Sequence, residues 1–298
     1  MVTIRAFLGA MAARDWLQSR ADARLLHVFD SLINLMSRDG SVLSVVSSLE
    51  DLGPFAILTA ADGVRSFRDV VSGEATVRTG KGELSIGSLV VDWRGMDGWE
   101  ASPLWEVLRE RKNQIRPILP LLREEADRCR QARRESSFPA DISRECLALN
   151  QKKDFEIGVV QLIREGAGKR RTILQQFLGC GQGLTPSGDD YLLGALLAGW
   201  IFMPETDRRS LSMMILAELP GRTTQLSAAW LRAAARGECG YLWHQLFDTV
   251  LAGKEADIRQ AARAIAEKGY SSGTEALSGF CAAAALPGRP RSVKNQPK

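Results

Sequence analysis

Beyond about residue 142 the chain reads as one helical segment after another, and before residue 100 almost none of it does. That division constrains the fold more than any other feature, because an apolar period of two and one of 3.6 cannot serve the same element. In the first hundred residues LLHVF, SVLSVV, PFAILTA, EATVRT and LSIGSLVVDW are rich in β-branched and aromatic residues. The turn formers RDG (38–40), ADG (61–63), TGKG (79–82) and RGMDG (94–98) separate them. Short strands at such spacing predict an antiparallel β-rich sheet or small barrel over residues 1–100. LINLMS lies in the same region as an apolar strand or helix, with Asn34 expected to be a satisfied buried amide.

Residues 101–141 form a helical connector in this reading. Pro117 and Pro120 should break its pattern into two helices, and RESSFPAD (134–141) is a linker. Segments 155–166, 170–178, 186–203, 208–219, 224–236, 241–252, 254–268 and 272–286 then alternate with Gly, Pro or Ser-Gly breaks. Many are alanine-rich, so residues 142–286 should pack as a compact α-helical bundle. Residues 287–298 read as a disordered basic tail. The fold class is therefore α+β.

Charge and cysteine usage narrow the function. The net charge is +4, and the tail alone carries Arg289, Arg291, Lys294 and Lys298 with no acid. The body is thus neutral, which argues against a nucleic-acid protein. Cys129, Cys146, Cys180, Cys239 and Cys281 are single and odd in number, which suits a reducing cytoplasm. His27 and His244 are the only histidines, too few for a histidine-rich zinc site. No apolar run approaches the ~18 residues of a membrane span. The opening MVTIRAFLGAMAARD has a short apolar core followed at once by Arg14-Asp15, so it belongs to the fold rather than to a signal peptide.

The most unusual stretch is GCGQGLTPSGDDYLLG, residues 179–194. Gly179, Gly181 and Gly183 make a flexible loop, and Thr185-Pro186 is a helix-start signal with Thr185 as cap. Numbered from there, Asp189, Leu192, Leu193, Leu196, Leu197 and Trp200 share one helix face, so Asp189 projects inward. Asp190 is turned about 100° away, beside Gly194. An inward carboxylate must be met by something. Backbone N–H groups at the helix start can do so, with no ligand. The loop and helix N-terminus can also hold an anion. Alternatively, Mg²⁺ on Asp189 or Asp190 can bridge to a phosphate held by the loop amides. An echo occurs 85 residues later, where SGDDYLLG (187–194) is matched by SGTEALSG (272–279). Both open a helix, and the second glycine of each suits close passage of a neighbour. TTQLSAAWLRAAARGE (223–238) supplies another polar start, with Thr223 or Thr224 as cap and Ser227 one turn inside.

GQGLTPSGDDYLLGALLAGW, LINLMSRDGSVLSV, TTQLSAAWLRAAARGE and GYSSGTEALSGF together resemble the bacterial AllH family, associated with a subunit of oxamate carbamoyltransferase. Tyr270 stands where that family commonly has histidine, so no histidine-based role is carried over. The resemblance implies transfer of a carbamoyl group from oxalurate to phosphate in allantoin breakdown, alongside AllF-like and AllG-like subunits. With that chemistry in view, Asp189, Asp190 and Ser187 are the catalytic candidates, and Asp189 and Asp190, from their place at the helix start, are the candidate ligands of Mg²⁺. Gly181, Gly183, Thr185, Ser187, Gly188, Thr224, Ser227, Ser272, Gly273 and Thr274 are candidates for binding phosphate or ureide. The two serine-glycine openings are expected to converge on one anion-binding cleft. A non-catalytic assembly subunit and a phosphate- or nucleotide-binding protein are the competing readings.

Overall fold

The computed structural model describes residues 1–19, 22–60, 63–135, 152–165 and 167–286. Nearly all of the expected linker, the basic tail and Cys146 lie outside the described residues.

Among the described residues, nine strands and one α-helix build the first part: β1 (Val2–Ala10), α1 (Met11–Ser19), β2 (Ala23–Val28), β3 (Leu32–Ser37), β4 (Val42–Val46), β5 (Ala56–Ala60), β6 (Val77–Thr79), β7 (Glu83–Ile86), β8 (Leu89–Asp92) and β9 (Asp97–Trp99). They form one sheet in the order β2-β3-β4-β5-β1-β8-β7-β6, with β9 pairing on β1. An Arg24–Thr76 bridge brings the two outer strands together, giving a nearly closed barrel. Alternate residues fill it, as in Ile33 and Leu35, Leu43 and Val45, Leu84 and Ile86, Leu89 and Val91. Trp16 and Leu17 of α1 complete that core.

The β-rich expectation holds, with corrections of detail. The sheet is mixed rather than antiparallel, because β1 runs parallel to β8 and β9, and β4 to β5. LSIGSLVVDW is a hairpin, not one strand: Gly87 turns the chain at φ 58° and Ile86 pairs with Leu89. The opening MVTIRAFLGA is a strand at the centre of the sheet. LINLMS is also a strand, and Ser44 on the neighbouring strand donates to Asn34 Oδ1 at 2.7 Å. Asn34 Nδ2 has no partner among the described residues, so the amide is only half satisfied there.

The helical part comprises α2 (Trp105–Glu110), α3 (Lys112–Ile115), α4 (Leu119–Glu135), α5 (Lys152–Arg164), α6 (Ala167–Phe177), α7 (Ser187–Phe202), α8 (Glu205–Glu218), α9 (Gln225–Arg236), α10 (Tyr241–Ala252), α11 (Glu255–Ala266) and α12 (Ser272–Ala284). Pro117 sits in a short 3₁₀ turn, Arg116–Ile118, that breaks the pattern as expected. Pro120 does not break it, because it falls in the first turn of α4, where its missing N–H is no loss. Residues from Trp105 to Ala126 share one core with α5 to α12.

Helix α7 is buried on almost every side, not along a single stripe. A helix apolar all round belongs at the centre of a bundle. Its principal neighbour is α12. A Cβ on Gly194 would overlap the Ala276 carbonyl, and one on Gly279 would overlap the Tyr191 carbonyl. Residues 191 and 276, like 194 and 279, are 85 apart, so the two helices cross with approximate local twofold symmetry. The echo extends upstream. A Cβ on Gly188 would overlap the Phe177 carbonyl at the end of α6, and one on Gly273 the Ile265 carbonyl at the end of α11. Each repeat is thus a helix hairpin closed by a glycine.

The barrel and the bundle are joined through Trp230 of α9, whose ring packs on Gly53 and meets Phe55 edge-on at 5.0 Å. Among the described residues no helix is long and apolar enough to cross a membrane.

Candidate functional site

The turn before α7 is shaped by glycine. Gly181 (φ 122°) lies so close to Ser187 that a Cβ would come within 2.5 Å of its amide nitrogen, and Gly183 (φ 94°) also occupies left-handed backbone space. The N-cap of α7 is Pro186, with no side-chain cap bond. Thr185, expected as the cap, is one residue too early. Its hydroxyl is turned instead to the other repeat, where its Oγ1 lies 2.7 Å from Ser272 Oγ. The two serine-glycine openings therefore meet in space.

Asp189 and Asp190 are 1% and 6% exposed. Asp189 is fully engaged. The Gly179 N–H donates to its Oδ1 at 2.9 Å, and the hydroxyls of Ser227 (2.7 Å) and Thr223 donate to Oδ2. Burial raises its pKa, while those three bonds pull it back. The carboxyl ties the loop after α6 and the start of α9 to α7. Thr224 completes the tie: its hydroxyl accepts from the Ser227 N–H at 3.0 Å and donates to the Leu184 carbonyl at 2.5 Å. The expectation of a cap at Thr223 or Thr224 resolves to Thr224. The hydroxyls of Thr224 and Ser227 thus serve the protein's own groups.

Asp190 faces the opposite way, toward the start of α12. Burial raises its pKa well above 3.8, the hydroxyls of Ser272 and Thr185 oppose the shift by hydrogen bonding, and the charges of Asp189 and Glu275 add to it. Its Oδ2 is buried and has no hydrogen-bond partner among the described residues. Such an atom costs free energy unless a group outside the fold meets it. Ser272 beside it and Ser187 at the start of α7 are half-buried, whereas Gly188, Gly273 and Thr274 are buried. Thr274 Oγ1 donates to the Ser271 carbonyl at 2.7 Å. Tyr270 is 71% exposed.

Two residues near this centre come from far away in the chain. Arg130 of α4 reaches Glu275 at 3.2 Å and Ser278 Oγ at 3.0 Å. Arg133 donates to the carbonyls of Ala266 and Gly269 at 2.9 and 3.2 Å. The sequence marks Thr223 only as a possible cap, whereas its hydroxyl donates to Asp189 Oδ2. No local pattern announces these roles, since each depends on a partner more than thirty residues distant.

The donor set does not fit a dedicated metal site. Both Asp189 oxygens are taken by donors, and no group of three or more His, Cys, Asp or Glu side chains placed to hold a metal occurs among the described residues. Mg²⁺ needs octahedral oxygen ligation, and a single free carboxyl oxygen is a poor start.

Fold and site together define an α+β chain whose two helix hairpins, repeated in sequence, enclose a buried and incompletely bonded carboxyl. Residues 177–284 match the model of the family described as oxamate carbamoyltransferase subunit AllH. The match begins at the last residue of α6 and ends at the last residue of α12, so it contains both openings. The LINLMSRDGSVLSV stretch lies outside it. No curated protein and no solved structure matches the chain.

Proposed function

We propose that the chain is an AllH-like subunit of a cytoplasmic carbamoyltransferase complex, working with AllF-like and AllG-like subunits on oxalurate and phosphate. The family match over 177–284 supports the class of complex. The observation that carries the site is the Thr185–Ser272 contact beside Asp190, whose Oδ2 has no partner.

In this reading the substrate lies against the two openings. A phosphate oxygen attacks the ureido carbonyl of oxalurate, the C–N bond breaks, and oxamate leaves with carbamoyl phosphate as the second product. The departing nitrogen needs a proton and the attacking phosphate hydroxyl must lose one. A carboxyl that stays protonated well above pH 3.8 can give the first and accept the second, so Asp190 ends as it began. The hydroxyls of Ser187, Ser272 and Thr185 and the amide of Gly183 supply neutral donors for the developing oxyanion, while Gly181 and Gly188 shape the first opening and Gly273 and Thr274 the second. A neutral Asp190 also removes the repulsion between phosphate and a charged acid.

The test is carbamoyl transfer by the reconstituted complex, followed by release of carbamoyl phosphate. Asp190→Asn should lower the turnover number about 10²–10⁴-fold, and Ser272→Ala should weaken saturation by phosphate. Full activity in Asp190→Asn, Thr185→Val and Ser272→Ala would leave only the assembly-subunit reading.

A further inference from the structure

We infer that the opposite end of α7 carries a second, positively charged site, which takes a small oxyanion between α2, the end of α7 and the start of α8. This does not depend on the function proposed above.

The observations come from Arg208, Arg109, Ser212 and Trp200. Arg208 is 8% exposed, and its guanidinium carbon lies 3.5 Å from the centre of the Trp200 ring. Its Nε–H is buried without an acceptor among the described residues, and its hydrogen bond to the Pro204 carbonyl is made by the main chain, not by the guanidinium. The neighbouring carboxylate, Glu205, pairs with Arg209 instead. Ser212, one turn further along the same helix face, has a buried hydroxyl that is also unpartnered. From the other wall Arg109 donates through Nε and Nη2 to the Trp200 carbonyl at 3.2 and 3.1 Å, with no carboxylate in ion-pair range among the described residues.

Two guanidinium groups held on either side of Trp200, one over its ring and one on its carbonyl, with neither in an ion pair to a carboxylate among the described residues, are unfavourable in isolation. Arg208 registers this: burial lowers its pKa, Glu205 opposes the shift, and the positive charge of Arg109 adds to it. The platform beneath is rigid. Trp200 and Trp105 stack at 5.7 Å, and their indole N–H groups donate to Ala234 and Gly237 carbonyls at 3.0 and 2.8 Å. A carboxylate or phosphate group would accept from Arg208 and Ser212 together and neutralise the pair of arginines. Planar forked recognition of this kind is what a guanidinium does best. Arg208 and Ser212 are on the inward face of α8, which favours a small anion over a protein surface.

The experiment uses the full chain carrying Ser272→Ala, so that any phosphate held at the helix openings is weakened. Tryptophan fluorescence and calorimetry are followed while inorganic phosphate, and separately acetate, is titrated. A saturable response to either anion is expected, and the stronger one identifies the headgroup. Arg109→Gln and Arg208→Lys should each weaken it about tenfold or more, the scale of one lost charged hydrogen bond. Ser212→Ala should weaken it several-fold and leave the melting temperature of the anion-free chain unchanged or higher. No saturable response, or one unchanged in Arg109→Gln and Arg208→Lys chains that melt like the parent, would overturn the inference.

Discussion

Asp189 and Asp190 are neighbours in the chain and meet opposite conditions. The first accepts three hydrogen bonds and acts as a structural tie; the second keeps one buried oxygen without a partner. The consequence for pH follows from the sign of the shift. Burial raises the folded pKa of Asp190 above its unfolded value, so the native state binds the extra proton and stability falls as pH rises through the range between the two. Asp190→Asn removes the ionisable proton at constant shape. Its melting temperature should exceed that of the parent at about pH 8, by roughly 2–4 °C for each kcal/mol relieved. The gain should fade as pH falls and vanish below 3.8, where the parent carboxyl is protonated in both states. Calorimetric scans across that range give the comparison, and equal melting temperatures at every pH would mean that Asp190 is not stressed.

At the scale of elements, the repeat SGDDYLLG and SGTEALSG is a packing device. Gly188 and Gly273 let each helix start against the carbonyl of the preceding one, and Gly194 and Gly279 let α7 and α12 touch backbone to backbone. Alanine normally favours a helix over glycine by about 1 kcal/mol. At Gly194 and Gly279 that gain is outweighed, since the overlap is with main-chain carbonyls that cannot rotate away. Gly194→Ala and Gly279→Ala should each destabilise by about 1–3 kcal/mol net in urea unfolding, the usual scale of overpacking. Gly253→Ala, where the strain is only a positive φ of 78° and no atom is near, should cost less. The reverse order would show that the helices are less closely crossed than described.

At the scale of the whole molecule, the barrel and the bundle share a seam. Trp230 rests on Gly53 and Phe55, the Tyr241 N–H donates to the Leu52 carbonyl at 2.9 Å, and Lys268 pairs with Asp51. The seam should make both parts unfold together. Trp230→Ala removes its largest ring at a half-buried position and should cost about 2–3 kcal/mol, somewhat less than a fully buried tryptophan. Differential scanning calorimetry should then resolve two transitions where the parent has one. A single, merely shifted transition would place the coupling elsewhere.

The chain's own pattern was enough for the α+β division, eight of the helices and most of the strands, because these depend on neighbours within a few residues. It also carried the glycine echo and the inward turn of Asp189, which follow from helical periodicity. The pattern could not say that LSIGSLVVDW folds back at Gly87, or that β1 joins parallel partners, since pairing is chosen between distant strands. Nor could it say that Thr185 would abandon the cap for Ser272, or that Arg130, Arg109 and Arg208 would gather where they do. Those outcomes rest on contacts that close loops of tens to more than a hundred residues, and only the assembled core decides which of them the chain can make.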